Sequence, residues 1–311
     1  MQAEQENRKE KFLLGANGPT PNAPAGRVPQ LGAFANVRVE QVGGRQQCFK
    51  MYDPQGDPQA LQHLKNELAL AGRMRHPNII GPETVKKLGG DRVELCMDYA
   101  AGGSLADYVK RAKYASRDGS ALPAEEAGAL FIGVVDAISY LHSNELCHGD
   151  IKLSNVMMDG PIVRLIDFGT ARHTRPSSAA PPPLPGTLPY TSPEALDGPP
   201  HDGRPADLWA LGVVLCNLID RGEFPFSGRG EDGLRASIQS APPRLPEGVN
   251  ERLADLIERM LTKDPARRIS VGEVRSHPWI AAIAARGRDS RDPMVATDFS
   301  ASMRHLLGAA A

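Results

Sequence analysis

Cysteine is scarce in this sequence, and its few cysteines are not arranged for cross-linking or for binding a metal. The four residues Cys48, Cys96, Cys147 and Cys216 are far apart and form no CxxC pair. This pattern excludes a disulfide framework and a structural zinc site. It is typical of reduced, buried thiols in an intracellular protein.

Excess charge of one sign and long apolar runs are also absent. The 36 Lys and Arg residues nearly balance the 37 Asp and Glu residues, so we expect no polyanion-binding surface and no nucleic-acid partner. The longest apolar run, about residues 208–219, is too short to span a bilayer and is broken by Asn217. The N-terminus has no signal-like apolar region, and Gln2 excludes N-myristoylation. We therefore expect a cytoplasmic or nuclear protein without a membrane partner.

The 311 residues are sufficient for a two-lobed enzyme between two tails. Residues 1–27 end in GANGPTPNAPAG and have too little apolar surface to fold, which predicts a flexible leader. We expect one folded domain over residues 28–281, with a small lobe at 28–99 and a larger lobe at 100–281. Residues 282–311 are then a C-terminal tail. The sequence carries no signal for an oligomeric state.

The pattern of the small lobe predicts strands around one helix. Residues 28–53 favour short strands with a hairpin turn at Gly43-Gly44. A helix is predicted over residues 58–75, and a second strand pair turns at residues 89–91. The predicted helix carries one apolar stripe, made of Leu61, Leu64, Leu68 and Ala71.

The pattern changes to long helices after Gly102-Gly103. Residues 125–141 and 207–219 are apolar almost all round, as central buried helices are. Residues 174–186 are rich in proline, which excludes a helix or a central strand and predicts an exposed loop.

Two ordered motifs carry the clearest chemical signal. HGDIKLSN at residues 148–155 (the HGD loop) is followed, after a strand-like segment, by Asp-Phe-Gly at residues 167–169 (the DFG loop). Together they resemble the catalytic and metal-binding loops of protein kinases. A polar turn between two strands would explain either motif alone, but it does not explain both in this order.

The kinase resemblance assigns a role to each polar residue of these loops. Asp150 would orient the substrate hydroxyl and accept its proton, and Lys152 would neutralise the γ-phosphate of ATP. Asn155 and Asp167 would supply the oxygen ligands of Mg²⁺.

Upstream, the resemblance pairs Lys50 of CFKMYD with Glu67 on the predicted helix, so that Lys50 can hold the α- and β-phosphates. A surface lysine and a solvated glutamate are the alternative for each residue in isolation. Their order and spacing relative to Asp150 favour the pair.

Downstream, the resemblance implies two structural contacts. Glu194 of Ser192-Pro193-Glu194 is expected to form a buried ion pair with Arg268 of DPARRIS. Asp207 is expected to cap the start of its helix and to accept hydrogen bonds from the HGD loop.

The resemblance covers roughly residues 29–280 and is nearest to the calmodulin-dependent and AMP-activated kinase group. It implies an α+β, bilobal fold with a small antiparallel-sheet lobe and a larger helical lobe. It also implies transfer of the ATP γ-phosphate to a protein substrate. Lys152 and Thr187 of GTLPY favour serine or threonine over tyrosine as the acceptor.

The same resemblance outlines a nucleotide pocket with a degraded glycine-rich loop. Of the loop's three glycines only Gly32 remains, with Gln30 and Ala35 at the other two positions. Backbone approach to the phosphates should be weakened, because glycine permits it best. The other expected pocket residues are Val37 and Cys48 above the adenine, Met157 below it, Met97 at the back, and Asp98 and Ala100 at the connection between the lobes.

Gly149 stands where most kinases have an arginine that binds a phosphate on the activation segment. The usual phosphosite falls near Pro183, which has no hydroxyl. The hypothesis is that activity does not require phosphorylation at the usual place. The alternative is a conformation supported by phosphate on Ser177 or Ser178.

Three positions that hold carboxylates in arginine-selecting kinases are Ser104, Ser154 and Asn217 in this chain. Little is then left to pair a guanidinium of the substrate, although Asp107 lies nearby. We predict weak selection for basic residues upstream of the phosphorylated residue.

Two other functions are compatible with parts of the sequence. One is a nucleotide-binding pseudokinase used as a scaffold or allosteric module, which usually lacks at least one of six key polar residues. All six are present here: Lys50, Glu67, Asp150, Lys152, Asn155 and Asp167. A small-molecule kinase is disfavoured by the peptide-positioning segment GTLPYTSPE and by Arg268.

Overall fold

The computed structural model describes residues 35–115, 122–174, 187–196, 198 and 202–289. Four predictions therefore lie outside the described residues: the leader, Gly32, the proline-rich segment 175–186 with Ser177, Ser178 and Pro183, and the end of the tail.

The small lobe is a four-stranded antiparallel sheet with one helix. Its strands are β1 (Ala35–Val42), β2 (Arg45–Tyr52), β3 (Thr84–Gly89) and β4 (Arg92–Asp98), in the spatial order β1-β2-β4-β3. Gly43 and Gly44 both have positive φ, which the tight β1–β2 hairpin requires. The predicted strand pairs and their turns are confirmed.

Helix α1 (Pro58–Leu70) is shorter than the predicted 58–75. The Asp57 carboxylate caps its first turn by accepting a hydrogen bond from Gln59 N, and Gly72 with φ +69° follows its end. A chain in this left-handed conformation cannot continue a helix. The predicted stripe was wrong at Leu61, which is 40% exposed.

The larger lobe is mainly helical within the described residues. Its helices are α2 (Leu105–Ala115), α3 (Ala124–Ser143), α4 (Pro193–Leu196), α5 (Arg204–Ile219), α6 (Gly230–Ser240), α7 (Glu251–Met260), α8 (Val271–Ser276) and α9 (Pro278–Asp289). Its strands are β5 (Leu146–Cys147), β6 (Val156–Asp159), β7 (Ile162–Leu165) and β8 (Arg172–His173), paired as β5-β8 and β6-β7. The predicted α+β, two-lobed architecture is confirmed.

Helix α5 is the buried centre of this lobe, as predicted from its sequence. All residues from Asp207 to Ile219 are buried. The capping role predicted for Asp207 is wrong, because the helix begins one turn earlier and Gly203 is its N-cap. The Asp207 side chain is therefore free to face the HGD loop.

The apolar core forms two clusters, and Leu70 of α1 belongs to the larger one. The smaller core includes Tyr52, Leu64, Val93 and Leu95, and the larger one is built around α3 and α5. Helix α9 continues past the predicted domain boundary at residue 281, and Ile283 is buried in the larger core. No helix of the described residues is both long and apolar enough to cross a membrane.

Candidate active site

Asp150 lies at the centre of a polar network in the HGD loop. Its Oδ2 accepts hydrogen bonds from Lys152 Nζ at 2.7 Å and from Asn155 Nδ2 at 3.2 Å. Its Oδ1 accepts from Thr187 Oγ1 at 3.0 Å, and Lys152 Nζ also donates to Thr187 Oγ1 at 2.9 Å. The expected contact of Thr187 with Asp150 is present.

The HGD loop is anchored from below by Asp207. One oxygen of its carboxylate accepts from His148 N at 2.9 Å, and the other accepts from Gly149 N at 3.0 Å. His142 Nε2 lies 2.9 Å from the same carboxylate. Burial opposes ionisation, but these hydrogen bonds outweigh it and lower the pKa of Asp207. The loop is thus held by a buried anion.

Lys50 joins the small lobe to the DFG loop. Its Nζ lies 2.6 Å from Glu67 Oε1 and 2.9 Å from Asp167 Oδ1. Burial alone would lower the pKa of the Lys50 ammonium, but attraction to these two carboxylates raises it well above its usual value. Burial likewise opposes ionisation of Asp167, and Lys50 outweighs it and lowers the pKa of this carboxyl. Burial raises the pKa of the Glu67 carboxyl, so the charges that we infer are those of Lys50 and Asp167.

The donors expected to hold Mg²⁺ have suitable chemistry. Asn155 donates from Nδ2 to the Asp150 carbonyl at 2.9 Å, which leaves its amide oxygen available as a metal ligand. Asp167 is ionised and lines the same cavity. The described residues contain no group of three His, Cys, Asp or Glu side chains able to enclose a metal. Two protein oxygens fit Mg²⁺, which usually shares its coordination sphere with phosphates and water.

A cavity of about 320 Å³ lies between the lobes. Its lining includes every predicted nucleotide-binding and metal-binding residue of the described chain, and Lys152 as well. Asp150 is outside the lining but contacts Lys152. The predicted residues in the lining are Val37, Cys48, Lys50, Glu67, Met97, Asp98, Ala100, Met157, Asn155 and Asp167.

Sequence reasoning missed several apolar residues of this cavity. Ile166 directly precedes the DFG loop, so its position in the motif could have indicated it. Ile80 has no such signal: it reaches the cavity because its N–H donates to the Leu165 carbonyl at 2.9 Å, a contact between distant segments.

Cys48 lies on the upper wall of the cavity without being a nucleophile. Burial raises the pKa of its thiol to about 11. A thiol that stays protonated reacts slowly, so the residue supplies apolar surface.

The segment 187–194 connects this site to the helical core. Tyr190 Oη donates to Asn217 Oδ1 at 2.8 Å. Arg268 donates to both oxygens of Glu194, at 2.6 and 2.8 Å, and its side chain is fully buried. The expected Glu194–Arg268 pair is confirmed.

These elements define a class of fold: a sheet lobe and a helical lobe, with the HGD and DFG loops beside the cleft between them. The chain matches the family described as protein kinase domain over residues 31–280. It therefore belongs to the protein kinase family, as the motifs predicted.

The curated relatives of this chain are serine/threonine-protein kinases. It is 31% identical over 258 residues to SIK1 of Rattus norvegicus, and the aligned part covers 81% of this chain and 32% of that protein. It is 34% identical over 231 residues to SAPK5 of Oryza sativa subsp. japonica, with 70% and 59% covered. It is 29% identical over 267 residues to SRK2B of Arabidopsis thaliana, with 81% and 70% covered. The chain thus spans about a third of the rat relative and three fifths of the rice relative.

Proposed function

We propose that this chain is a Mg²⁺- and ATP-dependent kinase that phosphorylates serine or threonine hydroxyls of a protein substrate. The observation that carries the proposal is the contact of Asp150 with Thr187. Because Thr187 opens the segment expected to position a peptide, the proton acceptor and the peptide platform are physically joined. A free small-molecule substrate would need no such connection.

Each polar residue then has one task. Lys50, fixed by Glu67, binds the α- and β-phosphates, and Lys152 binds the γ-phosphate. Asn155 and Asp167 would hold Mg²⁺, which would supply positive charge to the phosphate oxygens. Gly32 is assigned to the phosphates on its motif alone.

Asp150 orients the acceptor hydroxyl in line with the γ-phosphorus. As the hydroxyl oxygen bonds to that phosphorus, the bond to the β–γ bridging oxygen breaks and Asp150 takes the proton. Positioning and electrostatic stabilisation supply most of the acceleration. The adenine is bound between Val37, Cys48 and Met157, with Met97 behind it and the backbone of Asp98 and Ala100 at its edge.

The decisive experiment measures phosphate incorporation into a generic protein substrate with ATP and Mg²⁺, beside the variant Asp150→Asn. We expect incorporation on serine or threonine and a loss of about 10²-fold or more in the variant. Absence of incorporation by the natural chain, with ATP still raising its melting temperature, would instead identify a nucleotide-binding pseudokinase.

A further inference from the structure

Helix α1 contacts the DFG loop in a second way, independent of the Lys50 ion pair. Asn66 Nδ2 donates a hydrogen bond of 2.6 Å to the Gly169 carbonyl. His63, one turn earlier on the helix, lies against the same glycine: a Cβ built on Gly169 would be 2.0 Å from His63 Nδ1. The Gly169 peptide is therefore enclosed by one face of α1.

The amide of Asn66 is oriented by a neighbour on the same helix. Gln62 Nε2 donates to Asn66 Oδ1 at 2.8 Å. Residues four apart lie on one helix face, so this contact forms within α1 alone. With its oxygen engaged by Gln62, Asn66 presents its nitrogen to the Gly169 carbonyl.

We propose that Asn66 is a positioning residue that fixes the DFG loop through the backbone of Gly169, so that the Asp167 carboxylate faces the nucleotide. The proposal rests on the proposed function. Gly169 follows Asp167 by two residues, and Asp167 has φ +66°, a conformation that L-residues adopt rarely. The hydrogen bond from Asn66 to the Gly169 carbonyl, two residues after Asp167, helps to hold that conformation.

Asn66 and Glu67 act on the DFG loop from two sides. Glu67 holds Lys50, which holds the Asp167 side chain, and Asn66 holds the main chain of Gly169. Because the two residues are adjacent on α1, a rotation of the helix breaks both connections together. The orientation of α1 is thereby coupled to the orientation of the metal-binding carboxylate.

The backbone contact has particular weight in this chain. Gly149 supplies no guanidinium to bind a phosphate and order the segment after the DFG loop. Thr170 instead donates from Oγ1 to the His148 carbonyl at 2.8 Å. Two consecutive residues of this segment are thus held without a phosphate. Gly169 is bonded by Asn66, and Thr170 is bonded to His148.

The first test measures hydrogen exchange in the nucleotide-free protein. The amide of Ala171 donates to the Phe168 carbonyl at 3.0 Å and reports opening of the DFG loop. In Asn66→Leu, which keeps the branching at Cγ but removes the amide, we expect its exchange to become about five- to ten-fold faster, the effect of losing one hydrogen bond. The control Gln59→Leu, an exposed amide on the same helix, should leave the rate unchanged.

Two further variants keep the test decisive. Asn66→Asp is isosteric, but its carboxylate faces the Gly169 carbonyl, so it should accelerate exchange at least as much; it replaces the leucine variant if that fails to fold. Gln62→Glu acts through Asn66. The new carboxylate can only accept a hydrogen bond, so it attracts Asn66 Nδ2 and draws this nitrogen away from the Gly169 carbonyl. We expect it to accelerate exchange as well.

The second test separates positioning from general structural damage. In Asn66→Leu we expect kcat to fall about five- to ten-fold and the half-saturating Mg²⁺ concentration to rise, with KM for ATP changed less than about two-fold. Unchanged exchange at Ala171 in both Asn66 variants would overturn the proposal, whatever the activity. Equal kcat and equal Mg²⁺ dependence would overturn it too. A natural chain without transferase activity would refute the proposed function alone, and the exchange result would still decide the role of Asn66.

Discussion

At Gly149 the backbone has φ +81°, and a Cβ there would lie 3.0 Å from the Thr170 carbonyl oxygen. The glycine therefore does more than omit an arginine side chain. It lets the chain after the DFG loop approach the HGD loop closely enough for Thr170 to bond the His148 carbonyl. An arginine could not enter this site without moving the backbone.

We predict that Gly149→Arg destabilises the protein by about 2–3 kcal/mol, from left-handed strain plus the clash with Thr170. The matched control is Gly160→Arg, where φ is +59° but no atom lies within 4 Å of the added Cβ. The control should cost only about 1–2 kcal/mol. Thermal or urea denaturation of the two variants measures the difference. Equal losses would show that the Thr170 contact contributes nothing.

At the scale of single residues, the sequence predicted those that belong to a recognisable motif. Lys50, Asp150 and Asp167 were found because their order along the chain has one chemical explanation. Asn66 was not found, because an asparagine on a helix is usually solvated and its partner is 103 residues away. Only the fold shows that contact.

At the scale of elements, the Arg268–Glu194 pair fastens α4 to the segment before α8. Arg268 also donates to the carbonyls of Thr262, Lys263 and Pro205, so its guanidinium is fully used. A buried ion satisfied in this way is costly to disrupt on one side, because its partner is left uncompensated.

We predict that Arg268→Leu lowers the free energy of unfolding by about 3–5 kcal/mol. Arg259→Leu is the control, since Arg259 pairs with Asp255 on the exposed face of α7 and should cost only about 0.3–0.5 kcal/mol. Chemical denaturation measures both values. A loss below about 1 kcal/mol for Arg268→Leu would show that the buried pair is no stronger than a surface pair.

The anchor between α5 and the HGD loop should depend on pH. The pKa of Asp207 is lowered below its usual 3.8 in the folded chain, so its stabilisation is present above about pH 4 and is lost as pH falls through the folded pKa. Asp207→Asn should cost about 2–3 kcal/mol at neutral pH, because one buried N–H loses its acceptor.

The difference in unfolding free energy between the natural chain and Asp207→Asn should therefore shrink below about pH 4. Asp91→Asn, in an exposed turn, should show no such dependence. Denaturation at a series of pH values checks this, and a constant difference would mean that Asp207 is not ionised in the fold.

Element types were predictable from periodicity, and element ends were not. The end of α1 depends on Gly72 adopting positive φ, and the start of α5 depends on Gly203 preceding Arg204-Pro205. Each is set by local backbone geometry. The buried side of α1 includes Glu67 because Lys50 compensates its charge, which an apolar pattern does not reveal.

At the scale of the whole molecule, the polar side chains that the described residues place near the three aligned positions are already engaged. Asp107 accepts from Ser104 Oγ at 2.7 Å and Ser104 N at 3.1 Å. Asn217 is engaged by Tyr190, and Glu223 is paired with Lys113 at 2.9 Å. A substrate guanidinium would have to displace one of these contacts.

We accordingly predict that a peptide array shows less than about three-fold selection for arginine upstream of the phosphorylated residue, less than one good charged hydrogen bond would give. Ser104→Glu should raise that selection by adding a carboxylate next to the cleft. Strong arginine selection by the natural chain, unchanged in the variant, would refute the prediction.

The separation of the apolar core into two parts has a consequence for turnover. Tyr52 and Leu95 belong to the smaller cluster and the residues of α3 and α5 to the larger one, but Leu70 of the small-lobe helix α1 belongs to the larger cluster as well. A rotation of the lobes would therefore have to part apolar contacts of α1 with the helical lobe as well as polar links such as Lys50–Asp167 and Asn66–Gly169. On the proposed function, substitutions that loosen this junction should change the rate of nucleotide release and the melting temperature together.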